Sequence, residues 1–343
     1  MRSIQLVAQR RLEPRDMTEP ADPGPGEVLV RIRAVGICGS DLHWYREGGI
    51  CGSTARYPQV LGHEPAGEIV ALGAGVHGLQ PGQRVAIEPA ITCGHCELCL
   101  AGRRNNCLYS QFMGSPQLPG LFREYALVPA HNLVPVPDSM DFTEITLIEP
   151  VAVIVHVFEL SPVRIGDTVA VLGAGPMGLL TAMLTRHAGA ARVFIGDRVP
   201  ERVALASRLG FDAVEIPRSR FAASVLDQTG GRGVDLAFDC AGASETLNAA
   251  IAVTRPGGRL TCIGIPSENS PKVDWFPAFN KELSIQTVKR SNETAHAALH
   301  LMAAGAVDPA IVTHRFELEQ TADAFAMLDE YQNGVVKAVI EAK

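Results

Sequence analysis

The stretch Thr168-Val-Ala-Val-Leu-Gly173-Ala-Gly175-Pro-Met177-Gly178 decides how this chain folds. Thr168 to Leu172 are branched or apolar and read as a buried strand. A glycine-rich turn follows at once, and then Leu179-Leu-Thr-Ala-Met-Leu-Thr, which reads as a helix. Strand, G-x-G-x-x-G and helix in that order form the context in which the pattern marks a dinucleotide site. Gly173 makes the tight turn, Gly175 lets the backbone approach a pyrophosphate, and Gly178 lets the helix pack on the strand. The pyrophosphate is expected on the helix N-terminus, where free N–H groups and the helix dipole attract it. A second strand, Arg192-Val-Phe-Ile-Gly-Asp197, ends in an acid nineteen residues past Gly178. A carboxylate there accepts the ribose hydroxyls and repels a 2′-phosphate, which favours NAD over NADP. Arg198 and Arg202 stand close enough to soften that preference. Met177, Arg202, Gly264 and Ile265 complete the expected cofactor contacts. The plain alternative is the same turn in an ordinary parallel sheet with no ligand.

The rest of the second half repeats the alternation. Strands are expected at 168–172, 192–197, 213–216, 234–239, 259–265 and 284–288, separated mainly by helical stretches. Six strands with crossover helices make an α/β doubly wound parallel sheet. Asp141-Phe-Thr-Glu144 has the form of a capping box just before this region. Residues 1–150 look different. Glu27-Val-Leu-Val-Arg-Ile-Arg-Ala-Val alternates as a half-buried strand does, and further short strands begin near Gly67, Gln83 and Glu124. Short strands with irregular, Gly- and Pro-punctuated joins suggest a small barrel or partly open sheet. The helix at His296–Ala304 and the strand at Val335–Glu341 lie beyond the sixth strand and are expected to return to this first domain.

With 343 residues the chain has room for two domains. A net charge of −7 and no long basic run argue against nucleic acid or an anionic membrane as partner. No span reaches the roughly 20 apolar residues of a membrane helix, and the N-terminus has no signal-peptide core. The cytoplasm is the expected compartment, where eight cysteines suggest metal or catalysis before disulfides.

Four of those cysteines stand together as Cys93-x2-Cys96-x2-Cys99-x7-Cys107. Four thiolates this close can wrap one tetrahedral Zn²⁺, and a site filled by protein alone is structural. An iron–sulfur cluster is the rival. A nucleic-acid-binding zinc module lacks the basic footprint it would need. A second group is Cys38, in Gly36-Ile-Cys38-Gly-Ser40-Asp41-Leu-His43, with His63-Glu64 twenty-five residues later. Thiolate, imidazole and carboxylate suffice for an open catalytic zinc, although packing roles explain the spacing equally well. The protease motif HExxH is excluded, because position 67 is Gly and Pro65 spoils the helix. His95 and His156 read as structural, and Asp41 as a local cap or turn acceptor.

Gly62-His63-Glu64-x2-Gly67-x5-Gly73-x2-Val76, the four-cysteine lobe and the GxGxxG turn together resemble the zinc-containing alcohol dehydrogenases of the medium-chain dehydrogenase/reductase family. The likeness covers essentially the whole chain. It implies a GroES-like β-rich catalytic domain (1–149, with the zinc lobe at about 90–110), a Rossmann NAD-binding domain (150–286) and a C-terminal segment (287–343) returning to the first. Gly36–His43 and Leu147-Ile-Glu149-Pro-Val are similar to the polyol branch, the sorbitol and idonate dehydrogenases. That resemblance implies a catalytic zinc on Cys38, His63 and Glu64, with Glu149 contacting it directly or through water. It also implies a proton relay through Ser40 and His43, although a turn and a surface role fit those two as well. Phe112, Ser115 and Arg290 match its substrate pocket, with Trp44 where a Tyr is usual and Ser291 replacing another. Arg290 serves equally well for cofactor phosphates or an ion pair.

The resulting expectation is an NAD-dependent enzyme with two zinc ions per subunit. It would oxidise a secondary alcohol of a polyol, sugar or sugar acid, and assemble as a homotetramer or dimer through its last Rossmann strand. L-threonine dehydrogenase is the second reading. A zinc-binding scaffold without turnover is the third.

Overall fold

The alternation at Glu27–Gly36 is the seed of the first sheet. Val28, Val30, Ile32 and Ala34 all point into the core at 0–1 % exposure, as period-two patterning requires. The computed structural model describes residues 1–215, 218–266, 268 and 270–342. In chain order the principal elements are β1 (Arg2–Ala8), β2 (Arg11–Asp16), β3 (Glu27–Gly36), α1 (Gly39–Glu47), β4 (Gln59–Val60), β5 (Glu64–Leu72), β6 (Arg84–Ile87), β7 (Tyr125–Pro129) and β8 (Leu133–Pro135). Helix α2 (Ile148–Leu160) follows, then β9 (Thr168–Leu172), α3 (Pro176–His187), β10 (Arg192–Asp197), α4 (Pro200–Arg208), β11 (Asp212–Glu215) and β12 (Val234–Asp239). The chain closes with α5 (Ser244–Val253), β13 (Thr254–Cys262), β14 (Ser284–Thr287), α6 (Ala295–Ala303), β15 (Val312–Glu317), α7 (Thr321–Asp329) and β16 (Lys337–Glu341).

Two units result. The first holds residues 1–152, 291–300 and 312–343, and the second 153–290 and 301–311. The expected boundaries at 149 and 286 shift accordingly, and the C-terminal segment does not return in one piece. Residues 301–311 group with the second unit, and Val307 and Ile311 among them are buried. The Asp308 N–H also meets Met183 Sδ at 3.2 Å.

In the first unit one sheet runs β8-β6-β5-β3-β16-β15, with β7 also paired to β3. Strands β1, β2 and β4 form a smaller sheet. The returning residues are held by apolar burial. Phe325 of α7 is fully buried against Tyr45 of α1 (ring centroids 5.3 Å) and Phe122 (5.8 Å). Each such ring contributes about 1.5–3 kcal/mol by leaving water. Arg46 of α1 adds an ion pair to Asp329 and a hydrogen bond to its carbonyl (2.9 Å). Helix α1 is thereby clamped to α7.

In the second unit six parallel strands run β11-β10-β9-β12-β13-β14. The order reverses at β9, the strand that leads into the glycine turn, which is where an open α/β sheet binds its ligand. The expected strand at 213–216 is observed at Asp212–Glu215, and Ile216 lies outside the described residues. The one at 259–265 starts early, at Thr254, and ends at Cys262. No helix of the described residues is long and apolar enough to cross a membrane.

Candidate active site

Three of the expected ligands meet in the first unit. Cys38 Sγ, one ring nitrogen of His63 and one carboxylate oxygen of Glu64 all lie within 4.8 Å of one another. Main-chain pairing brings them there. Glu64 opens β5 and sits opposite Gly36 at the end of β3. His63 immediately precedes β5, and Cys38 lies two residues past β3. Cys38 is also the N-cap of α1. The helix is built by Asp41, which is fully buried and accepts from the Cys38 N–H through Oδ2 (3.0 Å). Its Oδ1 accepts from the Gly62 N–H (3.1 Å) and faces His63 Nδ1 (3.3 Å). The local-cap reading of Asp41 therefore holds, and a further role escaped it. A carboxylate on Nδ1 leaves Nε2 as the nitrogen for a metal, the usual arrangement of a metal-binding imidazole. In sequence, an acid three residues after a candidate ligand, at the start of a helix, was the available signal.

The residue types and their convergence fit an open zinc site with three protein ligands. Burial opposes the charge on His63, but Asp41 and Cys38 beside it hold its pKa well above the usual value. Glu149, in the first turn of α2, is not among the three converging groups. Its carboxyl pKa is pushed up to about 8, first by burial, with the charges of Glu64 and Glu88 adding to the rise against His63 and Lys337. A carboxyl so placed can exchange a proton near neutral pH. Ser40 Oγ lies 3.2 Å from His63 Nε2, whereas His43 Nδ1 pairs with Glu47 at 3.0 Å. Among the described residues no hydrogen bond joins Ser40 to His43.

The expected substrate residues are placed unevenly. Phe112 stacks obliquely on His63 (5.1 Å between centroids). Ser115 Oγ is buried without a hydrogen-bond partner among the described residues. Trp44 is 7 % exposed and packs in the apolar core. Arg290 adopts a left-handed backbone (φ 58°), and the next residue, Ser291, donates to both oxygens of Glu88 (3.0 and 3.2 Å). Lys337 was not anticipated. It is 1 % exposed and its ammonium donates to Glu64 Oε2. A lysine in a terminal strand ordinarily reads as a surface residue, so no signal pointed to it.

The four-cysteine group forms its own centre. Sγ atoms stand 3.5 Å apart for Cys93 and Cys107, and 3.9 Å for Cys93–Cys99 and Cys96–Cys107. A tetrahedron with Zn–S bonds of about 2.3 Å has edges of about 3.8 Å, so one ion fits. A multi-iron cluster ligates its thiolates to separate irons and spreads them wider. N–H groups of Cys93 and Tyr109 point at Cys107 Sγ (3.4 Å each), as at a thiolate.

In the second unit the glycine turn is as tight as the motif requires. A Cβ on Gly178 would lie 1.7 Å from the Gly173 carbonyl, while one on Gly175 would meet only Arg202 Nη1, at 3.7 Å. Gly175 is the N-cap of α3 and no side chain caps the helix, which leaves its first N–H groups for an anion. Asp197 Oδ2 accepts from the Ala174 N–H (2.7 Å) and lies 3.8 Å from Arg202 Nη1. The acid thus braces the turn. Met177 occupies the first turn of α3. Gly264 donates its N–H to the Asp239 carbonyl (2.9 Å), and Ile265 beside it is 37 % exposed.

Comparison with known proteins agrees with this geometry. Residues 24–138 match the alcohol dehydrogenase GroES-like domain, and residues 176–304 the zinc-binding dehydrogenase domain. The chain is 36 % identical to a sorbitol dehydrogenase of Bacillus subtilis, over 92 % of this chain and 90 % of that one. It is 36 % identical to an L-arabinitol 4-dehydrogenase of Hypocrea jecorina, over 94 % and 87 %. A crystal structure of an alcohol dehydrogenase from E. coli CFT073, complexed with NADH, superposes with a TM-score of 0.90 at 31 % identity, over 99 % of each chain. The protein is an oxidoreductase, and its chain belongs to the zinc-binding alcohol dehydrogenase family.

Proposed function

We propose that this enzyme oxidises a secondary alcohol of a polyol, sugar or sugar acid to the ketone, with NAD as hydride acceptor. The convergence of Cys38, His63 and Glu64 carries the proposal. It is supported by the polyol names of the relatives. We assign one zinc to these residues and one, structural, to Cys93, Cys96, Cys99 and Cys107. A zinc at the first site supplies a Lewis acid that makes a coordinated hydroxyl far more acidic. Asp41 orients His63 and fixes its tautomer. Glu149, with its raised pKa, holds or receives a proton close to neutral pH. Phe112 and Ser115 line the alcohol's approach, and Ser40 stays a candidate for the first proton step. Asp197 favours NAD over NADP by accepting the ribose hydroxyls, with Arg202 tempering the choice.

Threonine as substrate is not favoured, since the sorbitol and L-arabinitol dehydrogenases that the chain resembles are named for polyols. We also read the enzyme as a homo-oligomer, dimer or tetramer, working in the cytoplasm. Trp275, Phe276 and Phe279 are 62–73 % exposed just before β14, the edge of the parallel sheet, and its Ile285 is 37 % exposed. Such a patch beside an open strand edge suits a second copy. None of the eight cysteines is in a disulfide, in keeping with a reducing compartment.

The decisive experiment is NAD reduction against sorbitol, xylitol, L-arabinitol, galactitol, idonate, threonine and 2,3-butanediol, each with and without a chelator. Chelator-sensitive turnover of a polyol or sugar acid is the expected result. Turnover of threonine alone would overturn the substrate class.

A further inference from the structure

A buried ammonium stands among the candidate metal ligands. Lys337 and Glu64 are each 1 % exposed, and they lie on different strands, β16 and β5. The Lys337 ammonium donates to Glu64 Oε2 and to the carbonyl of Ile37 (3.0 Å), the residue before Cys38. One cation therefore ties the segment bearing Cys38 to the strand bearing Glu64. Gly36 leaves the room for this, since a Cβ there would stand 2.3 Å from Glu64 Oε2 and 3.1 Å from Lys337 Nζ. Sheet register sets the meeting, with Gly36 paired to Glu64 on one side and to Val339 on the other.

Breaking a buried ion pair is costly because it leaves an uncompensated charge. A dication at Cys38, His63 and Glu64 would share the Glu64 carboxylate with the ammonium, one oxygen each. We propose that Lys337 is a positioning residue of the catalytic metal site: it leaves Glu64 one oxygen for the metal and acts as the counter-cation that keeps the metal-free site folded. This rests on the metal-site reading given above. It has a consequence of definite sign. In Lys337→Met the metal-free protein carries a buried, unpaired carboxylate, and metal loading repairs the defect. A group that binds the native state and relieves its strain is bound more tightly by linkage.

The test is cobalt(II) titration of metal-stripped protein, following the thiolate-to-cobalt absorption that Cys38→Ser abolishes, with melting curves of the metal-free and loaded forms. K337M is expected to bind cobalt at that site about tenfold more tightly than the wild type, a rough scale for removing one cation that repels the dication and competes for Glu64. Its melting temperature should fall when metal-free and recover on loading. K337R, which keeps the charge, should stay within about threefold of wild-type affinity. Equal affinity in K337M, with the same drop in melting temperature in both forms, would mean that Lys337 is merely structural and would overturn the proposal. Should K337M fail to fold even with metal, the metal-free E64Q protein decides. It strands the ammonium, so the K337M/E64Q double variant must be the more stable of the two; no gain would again overturn the idea. A cobalt spectrum indifferent to C38S would instead remove the metal-site reading itself.

Discussion

Replacing Asp41 with Asn changes one oxygen to an amide and removes one charge. The consequences are calculable because the side chain is fully enclosed. Its carboxylate serves two backbone donors, Cys38 N–H at 3.0 Å and Gly62 N–H at 3.1 Å, and faces His63 Nδ1 at 3.3 Å. Asn offers a single acceptor oxygen, so its NH2 must confront one of these donors. An orphaned buried donor costs about 1–3 kcal/mol, and the surviving bond loses its charge assistance, about 1 kcal/mol more. The sum, about 2–4 kcal/mol, is a large part of the ~5–15 kcal/mol that stabilises an ordinary domain. The imidazole also loses the anion that orients it, for which metal affinity should fall about 10–100-fold. Urea unfolding at fixed zinc measures the first quantity, and zinc competition against a chromophoric chelator the second. A D41N protein with wild-type urea midpoint and wild-type zinc affinity would show that the three short contacts carry no weight, and the account of His63 would fall with them.

Gly178→Ala should cost at least about 1–3 kcal/mol by overpacking, because the new Cβ would stand 1.7 Å from the Gly173 carbonyl; NADH fluorescence titration should show binding at least tenfold weaker, as a rough scale. Asp235 is half-buried, which opposes its charge, yet Arg232, the Thr168 N–H and Arg255 hold its carboxyl well below the usual range. A depressed folded pKa stabilises above the unfolded value of about 4 and is lost as pH falls through the folded one. The stability deficit of D235N should therefore be full at pH 7 and shrink in acid below about pH 4, as melting curves across pH would reveal. Phe276→Asp should lower the sedimentation coefficient, since Phe276 is 73 % exposed in the single chain and a second copy would cover it; an unchanged assembly would put the interface elsewhere.

The amino-acid order was most legible where function depends on spacing along the backbone. The glycine turn and the four cysteines are local, so their residues meet wherever the chain goes. The first metal site was partly legible. Cys38 and His63 are twenty-five residues apart, and only the pairing of β3 with β5 brings them together. Lys337 was hidden altogether, because its partner Glu64 lies 273 residues away. Strand ends drifted by a few residues, as at Thr254, where the ladder to Val234 starts before an irregularity in register. The assignment of 301–311 was missed because buried Val307 and Ile311 look like any helix-connecting apolar residues until their neighbours are known.

The pairing of Gly36 with Glu64 also says something about how such an enzyme can change. His63 and Glu64 begin one strand and Cys38 follows its neighbour, so the ligand field belongs to the sheet's frame. Phe112 and Ser115, the substrate residues proposed above, come from a separate connection. Loops of that kind tolerate exchange far better than paired strands do. Selection for a new alcohol can therefore work on those loops while the metal chemistry stays in place, and one scaffold can pass between polyols of different length and handedness by small steps.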